Sequence, residues 1–239
     1  MALGPCIKGF LNCICSVIVV DRTHLHEKYK GILLIATCID GNNNIYPIIF
    51  SIVDGENNAS WTWFMTRLKA SMGDVLNLVI ILDRHISTAK AAASIFPDAF
   101  HALCIYHNQN NLIDKFNNKN IIPHFYLAVK AYRMSDFHMY WAKLHLYPGV
   151  TTYLEEVELQ RWARVYQVHR RYDKMMTNIV GCLNGVLKDA RELSITKLLE
   201  HIREWLQGWS YIRCTHAMAC TNIVIDYAMS ILKELELIY

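Results

Sequence analysis

The sequence has no apolar run long enough to cross a membrane. Its longest apolar stretches, such as residues 32–36, have the length of a β-strand, whereas a spanning helix needs about 20 residues. The first 20 residues are apolar, but no basic region precedes that stretch and Lys8 lies in its middle. We therefore expect neither a transmembrane segment nor a signal peptide.

Charge of either sign is also scarce. Charged residues make up 19% of the chain and hydrophobic residues 53%, a balance that excludes intrinsic disorder and supplies a sizeable core. The formal net charge of +3 permits a nucleic-acid partner without indicating one. Internal repeats and low-complexity linkers are absent, so the 239 residues fit one large domain or a domain with a helical extension.

The eight cysteines do not form the pattern of a disulfide framework. They are scattered along the chain, and several lie inside apolar runs. Disulfide frameworks usually belong to much shorter secreted chains. We expect free, mostly buried thiols and a reducing compartment.

The first half of the chain contains alternating strand and helix patterns. Helices are predicted from Ser60 onward and through residues 90–95, and residues 40–44 have the composition of a hairpin turn. From about residue 107 the spacing of apolar residues becomes helical. The predicted strands are 16–20, 31–39, 45–53, 77–82 and 99–106. This order predicts an α/β fold with a mixed five-stranded sheet, flanking helices and a helical C-terminal half.

Two aspartates close apolar strands in this prediction. Asp21 follows the first strand and Asp83 follows the fourth, which a right-handed crossover would lay parallel and adjacent to the first. Two neighbouring carboxylates repel each other unless a cation lies between them, and such oxygen ligands suit Mg²⁺ or Mn²⁺. The alternative is that each aspartate only begins a loop or caps a turn.

Cys104 and His107 have the spacing of half a zinc site. A structural zinc site needs four ligands, and no second pair of this kind follows in the sequence. Zinc binding and simple packing at a strand end are both open, and packing is the stronger interpretation.

The most basic stretch of the chain is a candidate DNA-binding surface. Its aromatic neighbours are Trp162, Tyr166 and Tyr172, and its basic residues are Arg161, Arg164, Arg170, Arg171 and Lys174. Such a stretch could follow DNA phosphates. The alternative is a solvated helix face whose aromatic residues point inward.

Several short motifs resemble those of Mutator-like (MULE) transposase domains. The first motif is Asp21-Arg22-Thr23-His24-Leu25, followed by Lys28-Tyr29-Lys30-Gly31. Further matches are Asp40-Gly41-Asn42, Tyr46-Pro47, Ile52-Val53-Asp54, Glu56-Asn57, Ser60-Trp61, Trp63-Phe64, Asp83-Arg84-His85, Phe96-Pro97-Asp98-Ala99, Cys104-Ile105-Tyr106-His107, Thr177-Asn178, Asn184, Leu187-Lys188 and Ala190-Arg191-Glu192. These motifs extend over nearly the whole chain.

The resemblance implies an RNase H-like fold and metal-dependent cleavage and strand transfer of DNA. Asp21 and Asp83 align with the first two acids of the family's D-D-E triad, which binds Mg²⁺ or Mn²⁺. Residues 1–120 would form the RNase H-like core with these two acids, and residues 121–239 a helical region that completes the domain. Transposon DNA ends would be the partner, self-association is possible, and no small-molecule substrate or membrane is implied. The expected location is the nucleus.

The third acid of the triad is missing from its expected position. The segment 177–184 aligns with the family's third-acid motif, but Gly181 stands where that motif has glutamate. Arg22 likewise stands where the family usually has glycine. We therefore expect a truncated and catalytically impaired copy of a transposase. The alternative function is that of a non-catalytic, transposase-derived protein that binds DNA or another protein.

Overall fold

Five strands form a single mixed sheet in the computed structural model, which describes residues 1–2, 4–26, 30–167, 185–221, 227 and 229–230. The strands are β1 (Val17–His24), β2 (Ile32–Ile39), β3 (Ile45–Val53), β4 (Val79–Leu82) and β5 (Phe100–Leu103). Their order is β3-β2-β1-β4-β5. The predicted mixed five-stranded sheet with flanking helices is confirmed.

The pairing of the strands explains why the sheet is mixed. β1 pairs with β4 in parallel, and β4 pairs with β5 in parallel, whereas β2 and β3 are antiparallel. The register of the β2–β3 pair shifts between Ala36 and Thr37, and Thr37 lies opposite Pro47. Proline has no N–H to donate, so an irregularity at this point is expected.

The turn between β2 and β3 has the chemistry that its sequence predicts. The carboxylate of Asp40 accepts a hydrogen bond from the backbone N–H of Asn44 at 2.8 Å, and Asn43 has a φ of 60°. Asparagine tolerates this left-handed conformation better than most residues. The turn therefore fixes the register of the hairpin.

Helices flank the sheet and predominate in the described part of the second half of the chain. The helices are α1 (Gly4–Cys13), α2 (Asn58–Met72), α3 (Ile86–Ile95), α4 (Ile105–Phe116), α5 (Ile121–Lys130), α6 (Met134–His145), α7 (Val150–Glu155), α8 (Leu159–Trp162) and α9 (Ile195–Ala219). Short 3-10 helices cover Arg164–Tyr166 and Asp189–Glu192. None of the helices in the described ranges combines the length and apolar character needed to cross a bilayer.

Some predicted boundaries were wrong. β1 continues through Asp21 to His24 instead of ending before it. β5 ends at Leu103 because Cys104 caps α4, so residues 104–106 are not part of a strand. The N-cap of α2 is Asn57, whose side chain accepts from Ser60 N, rather than Ser60 itself.

The chain divides into two compact units. The first consists of residues 1–15, 22–55 and 180–239, and the second of residues 16–21 and 56–179. The sequence-based division at residue 120 stays a prediction.

The core of the first unit joins its strands to α9. Leu33, Ile35 and Phe50 pack with Leu198 and Ile202, and all are buried. Further along α9, Arg213 forms an ion pair with Asp40 at 2.6 Å and lies over the ring of Trp209. This unit therefore holds its long helix at both its start and its end.

The core of the second unit is aromatic. Trp162 is fully buried and its ring contacts Phe125, Phe137 and Trp141 at centroid distances of 5.5, 6.3 and 6.2 Å. Its indole N–H donates to the carbonyl of Leu154 at 3.2 Å. Trp162 thus satisfies its polar atom while it fills the centre of the cluster.

Replacing Trp162 should therefore destabilise the protein strongly. We expect Trp162→Ala to lower the free energy of unfolding by about 3–5 kcal/mol, because it leaves a large cavity in a packed core. Leu76, which is 87% exposed, provides the control. Leu76→Ala should change the free energy of unfolding by no more than about 0.5 kcal/mol. Denaturant titration of both variants measures the difference, and equal effects would contradict this account of the core.

Candidate functional site

The parallel register of β1 and β4 aligns the two predicted acids. Val17 lies opposite Val79, Ile18 opposite Ile80 and Val19 opposite Ile81. Continued by two residues, this register sets Asp21 level with Asp83. Side chains level with each other on adjacent strands point to the same face, and neighbouring strands are about 4.8 Å apart. Both aspartates are half-buried.

Asp83 occupies the connection between β4 and α3. It follows the last strand residue, Leu82, and its Oδ1 accepts a hydrogen bond from the backbone N–H of His85 at 3.1 Å. A short aspartate side chain commonly bonds to the backbone two residues further on. This bond orients the carboxylate at the carboxyl end of the strand, where ligands gather in open α/β sheets.

His107 responds electrostatically to both aspartates. It lies in the first turn of α4, and its pKa is raised to about 9. The hydrogen bond with Cys104 is the largest cause, burial acts in the opposite direction, and electrostatic interactions with Cys104, Asp21 and Asp83 add to the rise. One imidazole near neutral pH thus carries a positive charge beside two carboxylates. Asp21 and Asp83 are thus both within electrostatic range of the same imidazole.

Cys104 acts as the N-cap of α4. It is 1% exposed, and its Sγ accepts a hydrogen bond from the backbone N–H of His107 at 3.3 Å. The spacing of Cys104 and His107 is therefore explained by helix capping, which satisfies a backbone donor that has no partner within the helix. In the described ranges no three His, Cys, Asp or Glu side chains are grouped so that they could hold a metal ion.

Glu56 and His85 are polar residues near Asp83 that sequence reasoning missed. Glu56 Oε1 accepts from Trp61 Nε1 at 3.3 Å and lies 3.5 Å from His85 Nδ1. Glu56 thereby connects the segment before α2 to the loop that carries Asp83. The motifs around Glu56 and His85 are separated by 29 positions, and no spacing rule joins them.

Arg22 does not need the conformational freedom of glycine. It lies within β1, has no left-handed φ, and its NH1 is 2.8 Å from His24 Nε2 on the same strand. Alternate residues of a strand share a face, so this contact follows from the strand itself. Arginine at this position is compatible with the local backbone.

The predicted basic stretch is not one continuous helix face in its described part. Arg161 belongs to α8 and donates from Nε to the carbonyl of His101 at 3.0 Å, whereas Arg164 lies in a 3-10 helix, 5.3 Å from the ring centre of Tyr132. Burial lowers the pKa of Arg161, and the charge of Arg84 lowers it further, while Glu158 raises it. Arg170, Arg171, Lys174 and Gly181 lie outside the described residues.

The charge of His107 provides a pH test of this geometry. The folded pKa of about 9 exceeds the ordinary value of 6.5, so the stabilisation from protonated His107 is complete below pH 6.5 and is lost as the pH rises through 9. In the metal-free protein, NMR titration of the imidazole should give a pKa near 9. Asp21→Asn and Asp83→Asn should each lower it, whereas Asp98→Asn should leave it unchanged. An unchanged pKa of His107 in both Asp21→Asn and Asp83→Asn would show that the two carboxylates do not act on it.

Comparison with known proteins gives one family match, which lies in the first half of the chain. Residues 17–111 match the family model described as the MULE transposase domain. No curated protein sequence matches the chain significantly.

Three solved structures of viral integration proteins have a local likeness to this chain. A chain of the simian T-cell lymphotropic virus intasome in complex with PP2A regulatory subunit B56 gamma is 12% identical with a TM-score of 0.30; the match covers 52% of this chain and 46% of that one. Two forms of the HTLV-2 integrase catalytic core domain in complex with magnesium give similar values. The dimeric form is 14% identical with a TM-score of 0.27, covering 52% of this chain and 81% of that one. The trimeric form is 15% identical with a TM-score of 0.28, and the match covers 64% of this chain and 95% of that one.

At TM-scores of this size the likeness supports no inference about the present chain, and the chain covers less than half of the first of these relatives. The family match stands on its own, together with the motifs from Asp21 to His107. Residues 17–111 of this chain are thus similar to the MULE transposase domain family.

Proposed function

We propose that the chain is the catalytic core of a Mutator-like transposase, which acts on phosphodiester bonds at transposon DNA ends. Asp21 and Asp83 would hold a divalent cation, Mg²⁺ or Mn²⁺. The observation that supports the proposal is the parallel register of β1 and β4, which, continued by two residues, would bring Asp21 within β1 level with Asp83 at the carboxyl end of β4. DNA of the host chromosome would be the target, and the nucleus the place of action.

The chemistry of the two aspartates fits such an ion. Carboxylate oxygens are the ligands that Mg²⁺ and Mn²⁺ prefer, and two carboxylates at this spacing repel each other without a cation. A bound ion of this kind activates an attacking oxygen and stabilises a leaving one. The chain itself orients Asp83 through the backbone N–H of His85, and it holds His107 as a nearby cation.

Cleavage by this chain should nevertheless be weak. Gly181 stands at the position where the family's third acid is expected, and glycine has no side-chain oxygen to offer. Gly181 also favours the second candidate function, that of a non-catalytic descendant that binds DNA or associates with other transposase-like chains. The two candidates differ in cleavage activity and agree in DNA binding.

Metal binding should depend on both aspartates. We expect the wild-type protein to bind Mn²⁺ in calorimetry. Asp21→Asn and Asp83→Asn should each weaken the affinity by about tenfold or more, because losing a ligand costs at least as much as losing a residue that only supports a ligand. Asp98 is exposed and provides the matched control, so Asp98→Asn should not change the affinity. Equal Mn²⁺ affinity in all four proteins would rule out the proposed site.

Restoring the third acid should restore activity. The expected result is weak or absent cleavage of a DNA duplex by the wild type with Mg²⁺ or Mn²⁺, and increased cleavage and metal affinity in Gly181→Glu. In an Asp83→Ala background, Gly181→Glu should have neither effect, because a single glutamate cannot complete the site.

Strong cleavage by the wild type that Asp21→Ala abolishes would show that another group already replaces the missing glutamate. If Gly181→Glu changed neither metal affinity nor cleavage, the assignment of position 181 as the third-acid site would be wrong.

A further inference from the structure

We propose that Arg84, Lys115 and Tyr153 form a binding site for a backbone phosphate of DNA beside the two aspartates. This inference rests on the proposed function, because it takes DNA as the substrate. It adds a place where the strand is held, formed by residues that lie outside the predicted basic stretch.

Tyr153 is the common partner of the two cations. The guanidinium carbon of Arg84 lies 4.7 Å from the centre of the Tyr153 ring, and Arg84 NH1 also donates a hydrogen bond to the Tyr153 hydroxyl. Lys115 Nζ lies 4.3 Å from the centre of the same ring. Tyr153 is 8% exposed and packs edge-on against Phe116, so its ring is held in place. One fixed ring therefore gathers two positive charges.

A third cation lies close to this pair. The charge of Arg84 acts on the guanidinium of Arg161, which is anchored to the carbonyl of His101. The charge of Glu158 also acts on Arg161, and the charge of Glu156 acts on Tyr153. However, within the described part of the chain no carboxylate forms an ion pair with Arg84, Lys115 or Arg161.

Such a grouping of like charges favours the binding of an anion. Cations repel one another at short range, and contact with the Tyr153 ring does not neutralise their charge. Arg84 offers a planar fork of N–H donors that matches phosphate geometry, and Lys115 offers a compact charge. The Tyr153 hydroxyl accepts from Arg84 and retains its own O–H to donate. The set supplies the donors that a phosphodiester group needs.

The position of the site in the chain links it to the aspartates. Arg84 directly follows Asp83, and Lys115 lies in the last turn of α4, the helix whose first turn carries His107. Consecutive Cα atoms are about 3.8 Å apart, so the Arg84 backbone starts within a few ångströms of Asp83. A DNA strand that reached Asp83 would present its neighbouring phosphates to Arg84 and Lys115.

Other cation–aromatic contacts in the same unit provide a control. Lys143 lies 5.5 Å from the centre of the Tyr140 ring, and like Lys115 it is exposed. If cations merely pack on tyrosine rings in this protein, then Lys115 and Lys143 should behave alike. If Lys115 binds phosphate, the two should differ in DNA binding.

Salt-dependent DNA binding tests the proposal. The probe is a fluorescein-labelled duplex of mixed sequence, with anisotropy measured at several salt concentrations for the wild type, Lys115→Gln, Arg84→Gln and Lys143→Gln. Losing one phosphate contact should weaken binding at every sequence and reduce the slope of log K against log salt by about 1. We expect this loss for Lys115→Gln and Arg84→Gln and wild-type behaviour for Lys143→Gln. Arg84→Lys, which keeps the charge, should restore the slope.

The possible outcomes separate this proposal from the proposed function. If the wild type binds the duplex and Lys115→Gln retains its slope, or if Lys143→Gln loses as much, the phosphate site is wrong while DNA remains the substrate. If the wild type binds no duplex, both proposals fail, and the failure is seen without any variant. Should Arg84→Gln fail to fold, as thermal melting would reveal, the exposed Lys115→Gln alone decides the result.

Discussion

The parallel pairing of β1 with β4 is the constraint on which the candidate site depends. Residues 17–20 and 79–82 are all buried, so both strands are fixed in register by the apolar groups on their two faces. A slip by one residue would turn one of the two strands over and send its aspartate to the opposite face of the sheet. The half-buried carboxylates of Asp21 and Asp83 therefore owe their alignment to the hydrophobic residues that precede them.

Charge around this alignment is divided into two regions of opposite sign. Asp21 and Asp83 contribute negative charge, and both add to the rise in the pKa of His107 that the hydrogen bond with Cys104 mainly causes. Immediately beyond Asp83 the sign changes, because Arg84 turns towards Tyr153 and meets Lys115 there. In the proposed function the two carboxylates would hold a divalent cation, and the adjoining cations would hold a phosphate.

The aromatic core of the second unit supports the positive region. Tyr153 belongs to the same buried cluster as Trp162, and α7, which carries Tyr153, packs against α6. Interiors of this kind are densely packed and side chains in them keep one conformation. The ring that gathers Arg84 and Lys115 is therefore positioned before any ligand arrives, which reduces the conformational entropy that binding would cost.

Local patterns in the sequence determined much of this protein. β3 occupies residues 45–53 as predicted, and the Asp40 turn, the buried β4 and the central place of β1 beside β4 also follow from apolar periodicity and turn chemistry. The motifs around Asp21, Asp83 and His107 predicted the family whose model matches residues 17–111. These features depend on residues within a few positions of one another, or on handedness rules that apply to every such sheet.

The tertiary structure decided what local patterns could not. α1 was not predicted, because a short apolar run is compatible with more than one type of secondary structure. β1 was predicted too short, because Asp21 was interpreted as the end of the strand. Cys104 is a helix cap because its Sγ accepts a hydrogen bond from the backbone N–H of His107, and this contact exists only when α4 is formed. Arg84 and Tyr153 are 69 positions apart, and only the folded chain brings them to one ring, since no sequence periodicity relates residues at such a separation.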